Sequence, residues 1–222
     1  MRVLIAAAQR HAARAAALAS HLSAAGHDPM VVLAAPRRTP AFRKVGRFLD
    51  DPVHERAVTA EIRAKDPDVV HVIGCGGGTS VHLTWIARAL GVPCTLEVEA
   101  AEALCHRGDL VHASGAPCTV VDDPERCAAC CATATPGRAG PGAFAAALAR
   151  VTGRLGFALT PAPLALRNRC DAIAGALVDA HAIVVADDAA RALLLAVAPA
   201  ARVQVLPAPA TAALVELWRT LR

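Results

Sequence analysis

The chain has 222 residues and 22.8 kDa, enough for one large domain or two small ones; 55% of it is hydrophobic, but only 3% is aromatic and Tyr is absent. Such a core is built from Ala, Val and Leu, and stacking rings are too few to favour a single-stranded nucleic-acid binder. The net charge of +4, with a pI near 8.8, is a mild basic balance spread over scattered arginines.

The pattern alternates short β-rich runs with helical stretches. Val3-Leu4-Ile5 predicts a first strand, and His11 to Ala25 a helix with Leu18 and Leu22 on one face and Gly26 at its end. Met30 to Leu33 predicts a second strand. Thr39 to Asp50 is ambiguous, and the densest basic run, Arg37-Arg38 through Arg47 with Lys44 inside it, overlaps its start. That run reads as a solvated face, with an anionic ligand or a membrane surface as the alternative. Val53 to Lys65 is helical and stops before the turn Asp66-Pro67-Asp68. Val69 to Ile73 is a nearly continuous apolar run, as in a buried parallel strand, with His71 reading as a satisfied core histidine. Ser80 to Leu90 is helical, and Pro93 to Val98 is a fourth strand.

The period then breaks. Residues 101–142 hold Cys105, Cys118, Cys127, Cys130 and Cys131 among Gly, Pro and Asp, and read as a long insert that orders only if something staples it. Ala143 to Arg150 and Leu164 to Leu177 return to helix. Ala182 to Ala186 and Val203 to Leu206 are a fifth and a sixth strand, with helices at Ala189 to Val197 and Ala210 to Leu221. Alternating β and α with apolar strands predicts an α/β fold, a single doubly wound parallel sheet of Rossmann-like type over residues 1–222. The longest uncharged stretch, Val69 to Ala87, is broken by His71, Gly76-Gly77-Gly78 and His82, so it reads as strand, turn and helix rather than a membrane span. Eight cysteines without a secretory signal point to a reducing cytoplasm.

Several segments line up with one family. Asp66-Pro67-Asp68-Val69-Val70-His71-Val72 followed by Gly74, the Gly26-His27-Asp28 turn, Ala87 to Leu96, Cys105-His106-Arg107-Gly108-Asp109-Leu110, Gly115 to Cys118, Pro124 to Cys131, Ala180 to Ala186, and Arg202 to Pro207 come in the family's order. Together they resemble the N-terminal domain of family 4 glycosyltransferases, in the subset with a four-cysteine insert. The resemblance implies half of a two-domain GT-B fold. This half takes the acceptor, while an absent C-terminal domain, or a separate donor-binding chain, holds the nucleotide sugar. The implied function is glycosyl transfer to a saccharide or other hydroxyl acceptor. Glu97 stands where the family has a His, Asp187 where it has a Ser, and Ala6 to Arg10 where it has a Gly-Gly loop. A non-catalytic, zinc-stapled module binding a saccharide or a protein is the alternative.

The candidate chemistry falls in two places. Zinc favours four tetrahedral ligands, and two thiolates on a Cys-x2-Cys turn share it well. Cys105, Cys118, Cys127 and Cys130 would form a closed structural site, with His106 and His112 as substitutes; plain thiols, disulfides and a redox role remain open readings. At the strand ends, Glu97 and Glu99 are candidate catalytic carboxylates and His11 faces the same cleft. Gly76, Gly77, Gly78 and Thr79 form a strand-to-helix turn suited to an acceptor or simply to a cap, and Arg107 is a further candidate contact.

Overall fold

The computed structural model describes residues 1–35, 51–75, 79–106, 108–118, 121, 123–133, 163–206 and 210–221. The elements are β1 (Arg2–Ala7), a 3-10 turn (Gln9–His11), α1 (Ala12–Ala24), β2 (Asp28–Leu33), α2 (Pro52–Lys65), β3 (Val69–Ile73), α3 (His82–Ala89), β4 (Cys94–Glu97), α4 (Ala100–Leu104), α5 (Pro124–Thr133), α6 (Pro163–Asp179), β5 (Ala182–Val185), α7 (Asp188–Val197), β6 (Val203–Val205) and α8 (Thr211–Thr220). The expected helix at 143–150, the ambiguous segment 39–50 and the basic run within 37–47 lie outside the described residues.

The local causes are ordinary. In α2, Asp51 caps the start by accepting from the backbone N–H groups of Val53 and His54 at 3.2 and 3.1 Å, and Pro52 supplies a preset φ at the first position. Asp187 caps α7 in the same way through Ala190 N at 2.7 Å. α1 ends at Ala25, and Gly26 takes φ +78°, which lets His27 N reach back to Leu22 O at 2.9 Å.

Six strands form one parallel sheet in the order β2-β1-β3-β4-β5-β6. The chain steps from β1 outward to β2, then crosses back to place β3 on the other side of β1. The β1–β3 boundary is therefore the point where the winding reverses, and ligands of such sheets bind in the crevice beyond the strand C-termini there. This is the expected α/β, Rossmann-like architecture. Strand alternation sends side chains to two separate cores. Leu4, Val70, Val72, Leu96 and Ile183 face α2, α3, α4, α6 and α7. Val3, Ile5, Val69, Ile73 and Val184 face α1 and α8, whose Leu18, Leu22, Leu214 and Trp218 close that layer.

Two expectations change. Residues 101–142 contain more regular structure than their composition suggested: α4 opens the segment and α5 spans Pro124–Thr133. The Cys127-x2-Cys130 pair consequently lies on a helix and not on a turn. Among the described residues, no helix is long and apolar enough to cross a membrane.

Candidate functional site

Three residues of alternating strands sit on the sheet face covered by α1 and α8: His71 on β3, and Thr95 and Glu97 on β4, with His71 in register with Thr95 and Ile73 with Glu97. They form a polar ladder through an otherwise apolar layer. Trp218 Nε1 on α8 donates to Thr95 Oγ1 at 2.9 Å, Thr95 Oγ1 lies 2.9 Å from His71 Nδ1, and His71 Nε2 lies 3.3 Å from Glu97 Oε2. A proton on Nε2 satisfies every member: tryptophan donates to threonine, threonine to Nδ1, and Nε2 to the carboxylate. The rings of His71 and Trp218 meet edge to face at 5.4 Å. His71 is 0% exposed, so it is the buried, satisfied histidine expected, but it also holds a carboxylate at the sheet edge.

Glu97 receives a second clamp. Arg14, one turn into α1, donates from Nε to Oε1 at 2.9 Å and from Nη2 to Oε2 at 3.1 Å, a bidentate pair. Burial alone pushes the carboxyl up; hydrogen bonds from His71 and Arg14, and the Arg14 charge, outweigh it and bring Glu97 down to about 2. The Arg14 guanidinium is raised in turn, first through its hydrogen bond to Glu97.

The turn after β1 supplies a second polar cluster. His11 Nε2 lies 3.1 Å from Glu102 Oε2 on α4, and Arg10 ion-pairs with the same carboxylate. Burial pulls His11 below its ordinary value, and the Arg10 charge adds to this. Gly74, just beyond β3, makes room for it. Gly74 has φ +89°, and a Cβ there would stand 2.8 Å from His11 Nε2 and 3.2 Å from Thr79 Oγ1. Thr79 is fully buried; its hydroxyl accepts from Ala8 N at 3.1 Å and donates to Ile73 O at 3.0 Å, tying the ends of β1 and β3 together. Ser80 caps the next turn by accepting from His82 N at 3.1 Å.

His11, Arg14, Gly74 and Glu97 line a cavity of about 290 Å³ at the strand C-termini. Its lining combines polar residues, His11, Arg14, Glu97 and Glu99, with apolar ones, among them Val98, Val184, Val185, Leu206 and Leu214. The size lies at the lower end for small-ligand pockets, which run from about 300 Å³. His11, Glu97 and Glu99, the three candidate catalytic residues, are thus brought together. Thr79 stands behind them as a clip. Gly76, Gly77, Gly78 and Arg107 lie outside the described residues. Arg14 and Trp218 were not singled out by the sequence. The signal that finds them is topological: α1 and α8 are the helices over the face that His71 and Glu97 share.

The cysteines gather elsewhere, on the other face. All eight are thiols. Cys75 and Cys94 are fully buried, at opposite ends of their strands, and burial pushes both up to about 12. Cys127 is pushed up to about 11, first by burial and then by its neighbours Cys118, Cys170, Cys105 and Cys130. The donor set is therefore thiol-rich, as a soft cation requires. Among the described residues, no group of three or more His, Cys, Asp or Glu side chains is already closed around a metal-sized point.

No protein-family model matches the chain, and none of the curated proteins searched matches it.

Proposed function

We propose that the domain binds a saccharide or similar hydroxyl-bearing acceptor in the cavity at the strand C-termini, as the acceptor half of a glycosyl-transfer system. The observation that carries this is a cavity whose lining combines carboxylate, imidazole and guanidinium groups with aliphatic side chains. A sugar offers matching chemistry, hydroxyls and C–H faces. The ordered sequence resemblance supplies the reaction class. The donor, a nucleotide sugar, would come from a second domain or chain.

The roles divide by electrostatics. Glu97 at about 2, with both oxygens engaged, is a fixed acceptor of hydrogen bonds and a poor base. His11 is drawn toward its neutral form by burial, so it can take a proton near neutral pH. Glu99, exposed at the mouth, holds a hydroxyl within reach of it. In transfer, the acceptor oxygen would bond to the anomeric carbon, the nucleotide would leave with the electron pair of the broken bond, and His11 would receive the hydroxyl proton.

The neutralised Arg14 favours a second reading, a saccharide-binding module without chemistry. The pocket arginine is spent on Glu97, so it is poorly placed to meet a donor phosphate.

Thermal-shift titration separates these readings, using UDP-, GDP- and ADP-sugars beside a set of neutral mono- and oligosaccharides. A ligand at 100 times its Kd adds about 2.7 kcal/mol, which for a domain of this size raises Tm by about 5–10 °C. A shift with a neutral saccharide that Glu99→Ala abolishes supports the acceptor site. A shift with one nucleotide sugar as well shows that the donor binds this half. Absence of any saccharide shift, in a chain that melts cooperatively, overturns the proposal.

A further inference from the structure

His11 and Glu102 are 91 residues apart in sequence, and the strand order brings the turn after β1 to the start of α4. His11 Nε2 stands 3.1 Å from Glu102 Oε2, and the two side chains are only 14% and 11% exposed. Glu102 is held from both ends. Its backbone O accepts from Arg169 Nη2 on α6 at 2.9 Å, and its carboxylate ion-pairs with Arg10. His11 lines the cavity and Glu102 does not, so the carboxylate stands behind the ring. The Nε2 edge is crowded, since even a Cβ on Gly74 would come within 2.8 Å of it. Nδ1 has no hydrogen-bond partner among the described residues.

A neutral imidazole carries one proton, and the neighbours of its two nitrogens decide where that proton sits. Nε2 meets two opposite demands. Arg10 Nε, at 3.1 Å, can only donate, whereas Glu102 Oε2 can only accept. Arg10 is 43% exposed and already ion-paired, so water can take its Nε–H at little cost. Glu102 has no such outlet. A bare Nε2 would set two buried acceptors against each other at 3.1 Å, a costly arrangement. We propose that Glu102 is a positioning residue that fixes His11 in the Nε2–H form and leaves Nδ1 as the atom that takes the acceptor's proton. This rests on the reading of His11 as the base of the site. A base oriented by a third group is the general logic of such proton transfers. When Nδ1 takes the hydroxyl proton, the ring becomes an imidazolium with Glu102 behind it. Glu97, already paired with Arg14, and Glu99 also favour that charge, and Arg10 opposes it.

The test is imidazole nitrogen NMR on the full chain with labelled histidine, the His11 signals being assigned by their loss in His11→Gln. Above the titration of the ring, wild-type protein should show a protonated Nε2 and a bare Nδ1. A hydrogen bond to a charged group sets that preference at about tenfold or more. Glu102→Ala removes the acceptor and leaves Arg10 beside Nε2, so the ratio should fall at least about tenfold toward the Nδ1–H form. Glu102→Gln keeps the volume and an acceptor oxygen, so the Nε2–H form should stay in excess. The titration midpoint of His11 should nevertheless fall, because a negative charge is lost and the Arg10 charge is left facing the ring. A side chain that only fills space would move neither signal. A wild-type proton on Nδ1, an unchanged ratio in Glu102→Ala, or an unmoved midpoint in Glu102→Gln overturns the proposal, and the first of these needs no substitution. The spectra are recorded without ligand. If the Nε2–H form depends on Glu102 but no saccharide binds, the reading of the site falls and the proton-transfer role falls with it; if a saccharide binds while Nδ1 carries the proton, only the role of Glu102 falls.

Discussion

Glu97 and Cys127 are both half-hidden acids, and their surroundings drive them in opposite directions. Glu97 meets Arg14 and His71 and is held down at about 2. Cys127 meets four more thiols and is pushed up to about 11. The first site contains its own counter-charges and is complete as it stands. The second is dominated by thiols that raise one another, with the buried Arg169 guanidinium as the cation beside them.

The comparison breaks most visibly if Glu97 is neutralised. Its depressed value means that the carboxylate contributes stability above its ordinary range near 4.5, and that this contribution is lost as pH falls toward 2. A shift of this size corresponds to something on the order of 3 kcal/mol. Glu97→Gln should therefore lower urea stability at pH 7 by about 2–3 kcal/mol and flatten the acid limb between pH 4.5 and 2. An unchanged acid limb would show that the pair contributes nothing.

Gly74→Ala attacks the same wall by steric means. A Cβ would meet His11 at 2.8 Å on a backbone of φ +89°, so about 2 kcal/mol should be lost, with His11 displaced. Thermal unfolding measures the loss, and the His11 imidazole NMR resonance should move with it. Trp218→Phe keeps an aromatic ring but removes the donor to Thr95 and part of the buried indole, and should cost about 1–2 kcal/mol in chemical denaturation. The contrast sharpens at the thiols. In metal-free protein, Cys127→Ser should change stability by less than about 1 kcal/mol, because a thiol pushed up to about 11 is neutral at pH 7 and no charge is lost there. A large loss without metal would mean that the cluster, too, is complete by itself.

The sheet was legible because its strands announce themselves: Val69 to Ile73 and Ala182 to Val185 are apolar runs between clear helical patterns. His11, Glu97 and Glu99 were legible because strand C-termini are where such sheets put ligands. Arg14 was not. It is the single arginine of an alanine-rich helix, and its partner is 83 residues away. Only the strand order brings the start of α1 over the end of β4. The helix α5 was missed for a different reason. Cysteine and alanine carry no amphipathic period, although Asp123 accepting from Arg126 N, with Pro124 and Glu125 behind it, is a complete helix-start signal.

The ladder from Trp218 to Glu97 gives the protein an optical reporter. Of its two tryptophans, Trp85 is 60% exposed and Trp218 is fully buried. Acrylamide or iodide should silence the first and leave the second shining. The residual emission then comes from an indole bonded to Thr95 and edge-on to His71, two steps from the cavity wall. A ligand that shifts Glu97 would change the colour or brightness of that light, so occupancy can be watched without any label.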